Sequence, residues 1–339
     1  MPEPVDVALV SLGTTPGLRR ADEAFAAQLR ATGLTCEVRH VAIGAAGRLR
    51  RHPLVTDLVE AVAARRAARG ADAKFTVFST VTASLVQPRR AGSYAVRFDA
   101  PAALNRPGPA GAWQRPAERR SLSAARFLLP WSEAAGAAAP GAAPRVVVPV
   151  PVAPPAPGDD ARDIDALAYA GNPRKRGLAA VCAAWATVPA GTRLVIGGIE
   201  RETGLRWLRR NRVPEPPGVE WRGPTSHAEW LATVRRARLF VNASVWEDYG
   251  ISQLEALSAG AALVTVPSPG PYAALPIARG LAPGLVDNDL AAALGLALAL
   301  DEAELESYRA AAMVELAPYR PDAVLDLVRE HVVPLVRGG

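Results

Sequence analysis

The stretch NASVWEDYGISQLEALSAGAALVTVP, residues 242–267, decides how this chain folds. An apolar strand ends near Ser244, a short loop carries Glu247, a helix starts at about Gly250, and Gly260 closes it before a second β-rich run. Strand, helix and strand in immediate succession make a βαβ unit, which implies a parallel sheet. The amides of Gly250, Ile251 and Ser252 form the expected helix N-terminus, where unpaired donors and the helix dipole attract a phosphate. Glu247 in the loop and Glu255 on the helix flank that anion. A carboxylate beside a phosphate does not hold it. It is suited to accept hydrogen bonds from hydroxyls attached to it, such as those of a ribose or a sugar.

Working outward, the same alternation fills the rest of the chain. Strands are expected at 166–171, 192–198, 218–223 and 238–244, with helices over 177–187, 201–211, 226–236 and 251–259, a period of about 30 residues that suits βα repeats. Before them lies PVPVAPPAPGDDAR (149–162), a proline cluster that reads as a linker. Before the linker, strands are expected at 5–11, 34–43, 74–80, 93–98, 125–130 and 145–150, the loop LGTTPG (12–17) leading into a helix ended by Gly33. The reading is α/β: two Rossmann-like, doubly wound domains, 1–150 and 163–318, joined by the linker 151–162 and facing an interdomain cleft where the strand carboxyl ends would bind ligands. A last helix, within 319–339, places Leu325, Val328, Val332 and Leu335 on one face and is expected to pack back on the N-terminal domain.

Composition narrows the class. The 339 residues are 50% hydrophobic and 21% charged, ample for two cores. Cys36 and Cys182 stand far apart, which excludes a disulfide framework or a structural zinc site and points to a reducing compartment. MPEPVDVALVSLG has no basic region before its apolar stretch, and no run of about 18 uncharged apolar residues follows, so a cytoplasmic protein is expected. Lys74 and Lys175 are the two lysines among 39 basic residues, so the net charge of +6 reflects arginine-rich coding and speaks weakly for nucleic acid. Residues 1–150 hold 20 basic and 11 acidic side chains, the remainder 19 and 22. Part of that excess flanks a stripe of Leu54, Leu58, Val59 and Val62 with Arg48, Arg50, Arg51, Arg65, Arg66 and Arg69. Such a helix either packs on the core with a solvated face or makes peripheral contact with an anionic membrane. His40, His52, His227 and His331 lack metal-ligand spacing, and His227 reads as first-turn surface. Neither a G-x-S-x-G elbow nor a G-x-x-x-x-G-K-[ST] loop occurs.

Glu247 and Glu255 with seven residues between them, the Tyr249–Gly250 pair, EAL and then Gly260 together resemble the E-x7-E signature of retaining GT-B glycosyltransferases of the family 4 type. The resemblance covers most of 165–290. YAGNPRKRG (169–177) looks like that family's first C-terminal strand and loop, where basic side chains grip the donor diphosphate; Lys175 with Arg174 or Arg176 fills that place, and Asn172 stands where the family usually has Arg. The Trp221–Arg222–Gly223 turn lies where the base is usually held. Gly13 to Gly17 occupy the loop that in the family approaches diphosphate and acceptor. Asp99 matches the aspartate of a His-Asp pair, Phe98 replacing the histidine, and Arg97 and Asp99 would bind an acceptor hydroxyl or orient the sugar. DID (163–165) and DND (287–289) resemble metal-binding D-x-D pairs, but they sit after a linker and before a helix, where Asp is a routine cap.

The resemblance implies transfer of a sugar from a nucleotide-diphosphate sugar, a UDP- or GDP-sugar, to an unidentified acceptor, with retention and without a metal or other cofactor. Lys175 and Arg174 or Arg176, helped by the amides of 250–252, would stabilise the leaving diphosphate. Glu247 would hold donor sugar hydroxyls and Glu255 ribose hydroxyls. The rival readings are a nucleotide-sugar epimerase of the same architecture, a degenerate homologue acting as a partner protein, and a nucleic-acid binder, for which no recognition motif is present.

Overall fold

The computed structural model describes residues 4–43, 53–87, 93–106, 108–154 and 161–338. Arg48, Arg50, Arg51 and His52 of the basic segment, and linker residues 155–160, lie outside the described residues. The chain divides into two compact units, Met1–Pro151 with Pro318–Gly339, and Val152–Ala317.

In the first unit β1 (Val5–Ser11), β2 (Cys36–His40), β3 (Ala73–Phe78), β4 (Tyr94–Phe98) and β5 (Phe127–Pro130) pair in parallel in the order β2-β1-β3-β4-β5. Val7 to Val10 are all fully buried, as a central parallel strand covered on both faces must be. On one face Phe25 and Leu29 of the helix Pro16–Ala31 meet Leu9, Phe75 and Phe127; on the other, Ala61 and Ala64 of the helix Pro53–Arg69 meet Val10, Phe78 and Leu128. The helix Pro16–Ala31 begins earlier than its charge pattern suggests. Thr15 caps it, its hydroxyl accepting the amide of Leu18 at 3.2 Å, and Pro16 supplies a preset φ at the first position. Gly17 therefore lies in the first helical turn, while Gly13 stays in the loop.

Three local expectations are corrected. Residues 145–150 form no strand: Val146 and Val148 donate to the carbonyls of Leu128 and Pro130, but Pro130, Pro144 and Pro149 have no N–H to return, leaving a single bridge at Arg145. Within the stripe on Pro53–Arg69, Leu58 and Val62 are exposed and Val59 is half-buried, while Asp57, Glu60, Ala61 and Ala64 are buried. In the tail, Pro321–Leu327 runs into a π turn at Val328–Val332 before Val333–Arg337, and its extra residue moves the buried row to Val324, Val328, Val332, Val333 and Val336. Leu325 and Leu335 are half-buried beside it. These valines join the core under Phe25 and Leu29.

In the second unit β6 (Ile164–Tyr169), β7 (Leu194–Gly197), β8 (Val219–Trp221), β9 (Ala237–Asn242) and β10 (Ala262–Thr265) are also parallel, ordered β10-β9-β6-β7-β8. Both orders belong to doubly wound sheets, the first flavodoxin-like, the second that of the dinucleotide-binding domains. The connection reverses direction between β1 and β3 in the first sheet and between β6 and β9 in the second, and such points open a crevice at the strand carboxyl ends. Among the described residues no helix is long and apolar enough to cross a membrane.

Candidate functional site

The loops leaving β6 and β9 meet at the second unit's reversal point. In the turn after β6, the side chain of Asn172 accepts the amide of Lys175 at 3.0 Å and its carbonyl accepts that of Arg176 at 2.9 Å. The amide of Val245, after β9, donates to the carbonyl of Lys175 at 2.9 Å, which ties the two loops together. Gly177 makes the approach feasible. Its φ is +63°, and a Cβ there would lie 1.9 Å from the carbonyl oxygen of Ala243.

This junction delivers two cations to two adjacent carboxylates. Arg176 pairs with Glu247, its guanidinium 5.7 Å from the ring centre of Tyr169, and Lys175 Nζ lies 2.6 Å from Asp248 Oδ2, whose other oxygen accepts the indole N–H of Trp246 at 2.7 Å. Arg174 is exposed, and its side chain makes no hydrogen bond or ion pair among the described residues. Of the three basic residues in the turn, Lys175 and Arg176 are thus the pair that reaches the Glu247 loop. Glu247 is 2% exposed; Ser244 Oγ and Gln253 Nε2 each stand 2.7 Å from its Oε1, on the oxygen that Arg176 also meets. Its Oε2 has no hydrogen-bond partner among the described residues.

The helix Ile251–Ser258 starts beside this cluster. Gly250 precedes it at φ +90°, where a Cβ would meet the ring of Tyr272 at 2.7 Å. The amides of Ile251 and Ser252 belong to the turn that has no intrahelical acceptors. Tyr272 hangs between Thr265 and Asn242, and burial pushes its phenol well above the usual range, so it stays neutral.

One turn further along, Glu255 is almost enclosed. His227 Nε2 lies 2.7 Å from its Oε1, and Trp230 Nε1 donates to its Oε2 at 3.1 Å. His227 is indeed in the first turn of its helix, but it serves this carboxylate instead of pointing to solvent. The Ser226–Glu229 capping box fixes that first turn, which puts His227 and Trp230, three apart, on one side. The box was the available signal for these two residues. Arg222 is committed nearer the sheet, with Nε 2.9 Å from Glu220 and Nη1 donating to Thr233 at 3.1 Å.

The remaining candidates lie in the first unit. Gly13 has φ +51°, and its carbonyl accepts from Arg19 Nε at 2.8 Å. Asp99 is half-buried after β4, its Oδ1 accepting the amide of Ala100 at 2.8 Å. Arg97 is fully buried, which corrects its expected role on a ligand: it faces Asp22 at 3.4 Å and lies over the rings of Trp131 and Phe25. Burial pushes the Asp22 carboxyl up while Arg97 opposes the shift. Asp163 pairs with Arg193 and Arg236, and Asp289 caps a helix by accepting from Ala292, so both D-x-D pairs are accounted for structurally. Burial raises the thiols of Cys36 and Cys182 to about 11 and about 12, so neither is a ready nucleophile. Among the described residues no group of three His, Cys, Asp or Glu side chains could hold a metal ion.

The arrangement brings two cations, a helix N-terminus and two glutamates together at the β6/β9 reversal point. Comparison with known proteins bears on the fold. No curated protein sequence matches the chain. Sucrose-phosphate synthase from Thermosynechococcus elongatus shares 17% identity over 99% of this chain and 100% of its own, with a TM-score of 0.73. The Anabaena protein HepE, in complex with UDP-glucose, shares 14% over 96% and 98%, TM-score 0.71. WaaG, a glycosyltransferase involved in lipopolysaccharide biosynthesis, shares 15% over 98% and 100%, TM-score 0.66. Across the whole chain the fold is the α/β architecture of GT-B glycosyltransferases, and residues 165–299 match the model of the family described as Glycosyl transferases group 1.

Proposed function

We propose that the protein transfers a hexosyl group from a nucleoside-diphosphate sugar to an acceptor, with retention of anomeric configuration and without a metal ion. The observation that carries this reading is the convergence of Lys175, Arg176, the Ile251–Ser252 helix N-terminus and two held glutamates at the β6/β9 reversal point. Departure of a nucleoside diphosphate builds negative charge on its oxygens and positive charge on the sugar, and fixed cations and amides are the usual means of lowering such a barrier. Lys175 and Arg176 stabilise the leaving diphosphate together with the amides. Held by Arg176, Ser244 and Gln253, Glu247 keeps Oε2 for a donor hydroxyl. Glu255, whose two oxygens are oriented by His227 and Trp230, takes the ribose hydroxyls. The first unit takes the acceptor.

UDP-glucose is the donor to test first, because it is the molecule bound in the Anabaena relative. The test is to incubate the protein with UDP-glucose in the presence of EDTA, with water as the acceptor, and follow UDP release and the anomeric proton of the freed glucose by NMR before it mutarotates. The α anomer formed with EDTA present supports the reading; a β product, or turnover only after metal is restored, contradicts it. Peripheral attachment to an anionic bilayer through Pro53–Arg69 is part of the proposal, since Leu58 and Val62 are exposed on the same helix as Arg66 and Arg69. Flotation with anionic but not neutral liposomes is expected, and equal failure with both would remove it.

A further inference from the structure

Lys175 and Arg176 are each already paired with a carboxylate, and the two pairs are held very differently. Glu247 is 2% exposed, and Arg176, Ser244 and Gln253 all meet the same one of its oxygens. The side chains of Lys175 and Asp248 are 35% and 22% exposed, and Lys175 Nζ makes no hydrogen bond or ion pair besides that to Asp248 Oδ2 among the described residues. A partly exposed pair of this kind contributes little and opens readily. An incoming phosphate therefore meets one cation locked in a buried cluster and one whose partner it can displace.

The two members of that pair differ in freedom. Asp248 Oδ1 accepts the indole N–H of Trp246 at 2.7 Å, and the amide of Glu247, between them, donates to the carbonyl of Pro269 at 3.0 Å. Gly270, at φ +114°, closes over the same loop: a Cβ there would lie 2.1 Å from the carbonyl oxygen of Glu247 and 3.1 Å from the ring of Trp246. Asp248 is thus anchored, while Lys175 ends in a flexible four-carbon stem. We propose, resting on the transfer reading above, that Asp248 sets how tightly the site holds its diphosphate by competing with it for Lys175. The ammonium swings to the phosphate oxygens as the donor enters, and Asp248 stays behind as a fixed negative charge. Breaking the sugar–phosphate bond leaves the diphosphate more negative than it was in the donor, so cations alone would hold the product more firmly than the substrate. A carboxylate that repels the product and recaptures Lys175 offsets this and speeds release, a step that often limits turnover.

The experiment is metal-free calorimetric titration of the full-length protein with UDP and with inorganic pyrophosphate, using wild type, Asp248→Asn, Lys175→Gln and the double variant, each shown to be folded by its melting curve. Asp248→Asn keeps the size of the side chain and an oxygen for the Trp246 indole. It is expected to tighten both ligands at least fivefold and to slow UDP dissociation, whereas the same substitution in the Lys175→Gln background should change either affinity less than twofold, because the effect passes through Lys175. Lys175 is one of two lysines in the chain, so isotope-labelled methylation of the amines gives a second readout. Its NMR signal, assigned by its loss in Lys175→Gln, should move when pyrophosphate is added to wild type and should start from a displaced position in Asp248→Asn. UDP that binds wild type but binds Asp248→Asn no more tightly, an equal gain with and without Lys175, or a Lys175 signal unmoved by bound pyrophosphate overturns the inference alone. The expected pattern with pyrophosphate, with no response to UDP, overturns the reading of a UDP-sugar donor and leaves the competition for Lys175 standing. Binding of neither ligand to any of the proteins overturns both.

Discussion

His227 Nε2 stands 2.7 Å from one oxygen of Glu255, and Trp230 Nε1 donates at 3.1 Å to the other, so that one helix orients a carboxylate carried by the next. Trp230 also packs edge-on against Tyr169 and Phe240, which couples the carboxylate to the strands β6 and β9. Trp230→Phe keeps most of that packing and removes the donor. Nucleotide affinity should fall about tenfold, about 1.5 kcal/mol for one hydrogen bond to a charged group, while the melting temperature changes little. Calorimetry and thermal melting on the same sample check both halves.

Glu247 is expected to act on turnover more than on binding. Glu247→Gln preserves shape but loses the charge paired with Arg176 and weakens the hold on the reacting sugar. The turnover number should drop about 100-fold, within the range seen when one such electrostatic contact is removed, with nucleotide affinity changed less than about tenfold. Steady-state kinetics alongside nucleotide titration separates the two.

The contact of the two loops depends on Gly177. At φ +63°, with Ala243 O where a Cβ would lie, Gly177→Ala should cost about 2 kcal/mol or more, because strain and overlap act together. Urea unfolding measures it. A variant as stable as wild type would mean that the loops are not locked as described.

Glu118 should leave a trace in stability against pH. Burial pushes its carboxyl from an ordinary 4.5 up to about 7, although the amides of Ala102 and Ala103 oppose the shift. The folded protein therefore holds a proton that the unfolded chain releases between about pH 4.5 and 7. Stability from this group is complete below 4.5 and declines as pH rises through about 7, by at most about 3 kcal/mol. Glu118→Gln should flatten that decline. Urea midpoints at pH 5 and 8 for both proteins give the comparison.

Much of the architecture was legible because parallel strands buried on both faces read as apolar runs, and Gly33 and Gly260 mark helix ends. Strand order was not legible, since pairing β1 with β3 and β6 with β9 is decided between residues far apart in the chain. Residues 145–150 look like a strand because valines dominate them, yet the missing N–H of Pro130 lies in the partner strand. The tail's apolar positions were visible, but a π turn shifts which of them face inward. In the site, Glu247 and Glu255 stand out by spacing, whereas the choice of Lys175 and Arg176 over Arg174 depends on which way a turn presents its side chains. His227 is tied to a partner 28 residues away, and Arg97 meets Asp22 from 75 residues away; no local pattern carries either contact.

The central claim, a nucleoside-diphosphate site built on the loops after β6 and β9, is tested most directly by metal-free calorimetric titration with UDP, GDP, ADP and TDP on wild type and Glu255→Ala. One of the four should bind wild type and bind the folded variant at least tenfold more weakly, a difference of about 1.4 kcal/mol. Binding of none of them to wild type, or equal binding to both proteins, would contradict the account.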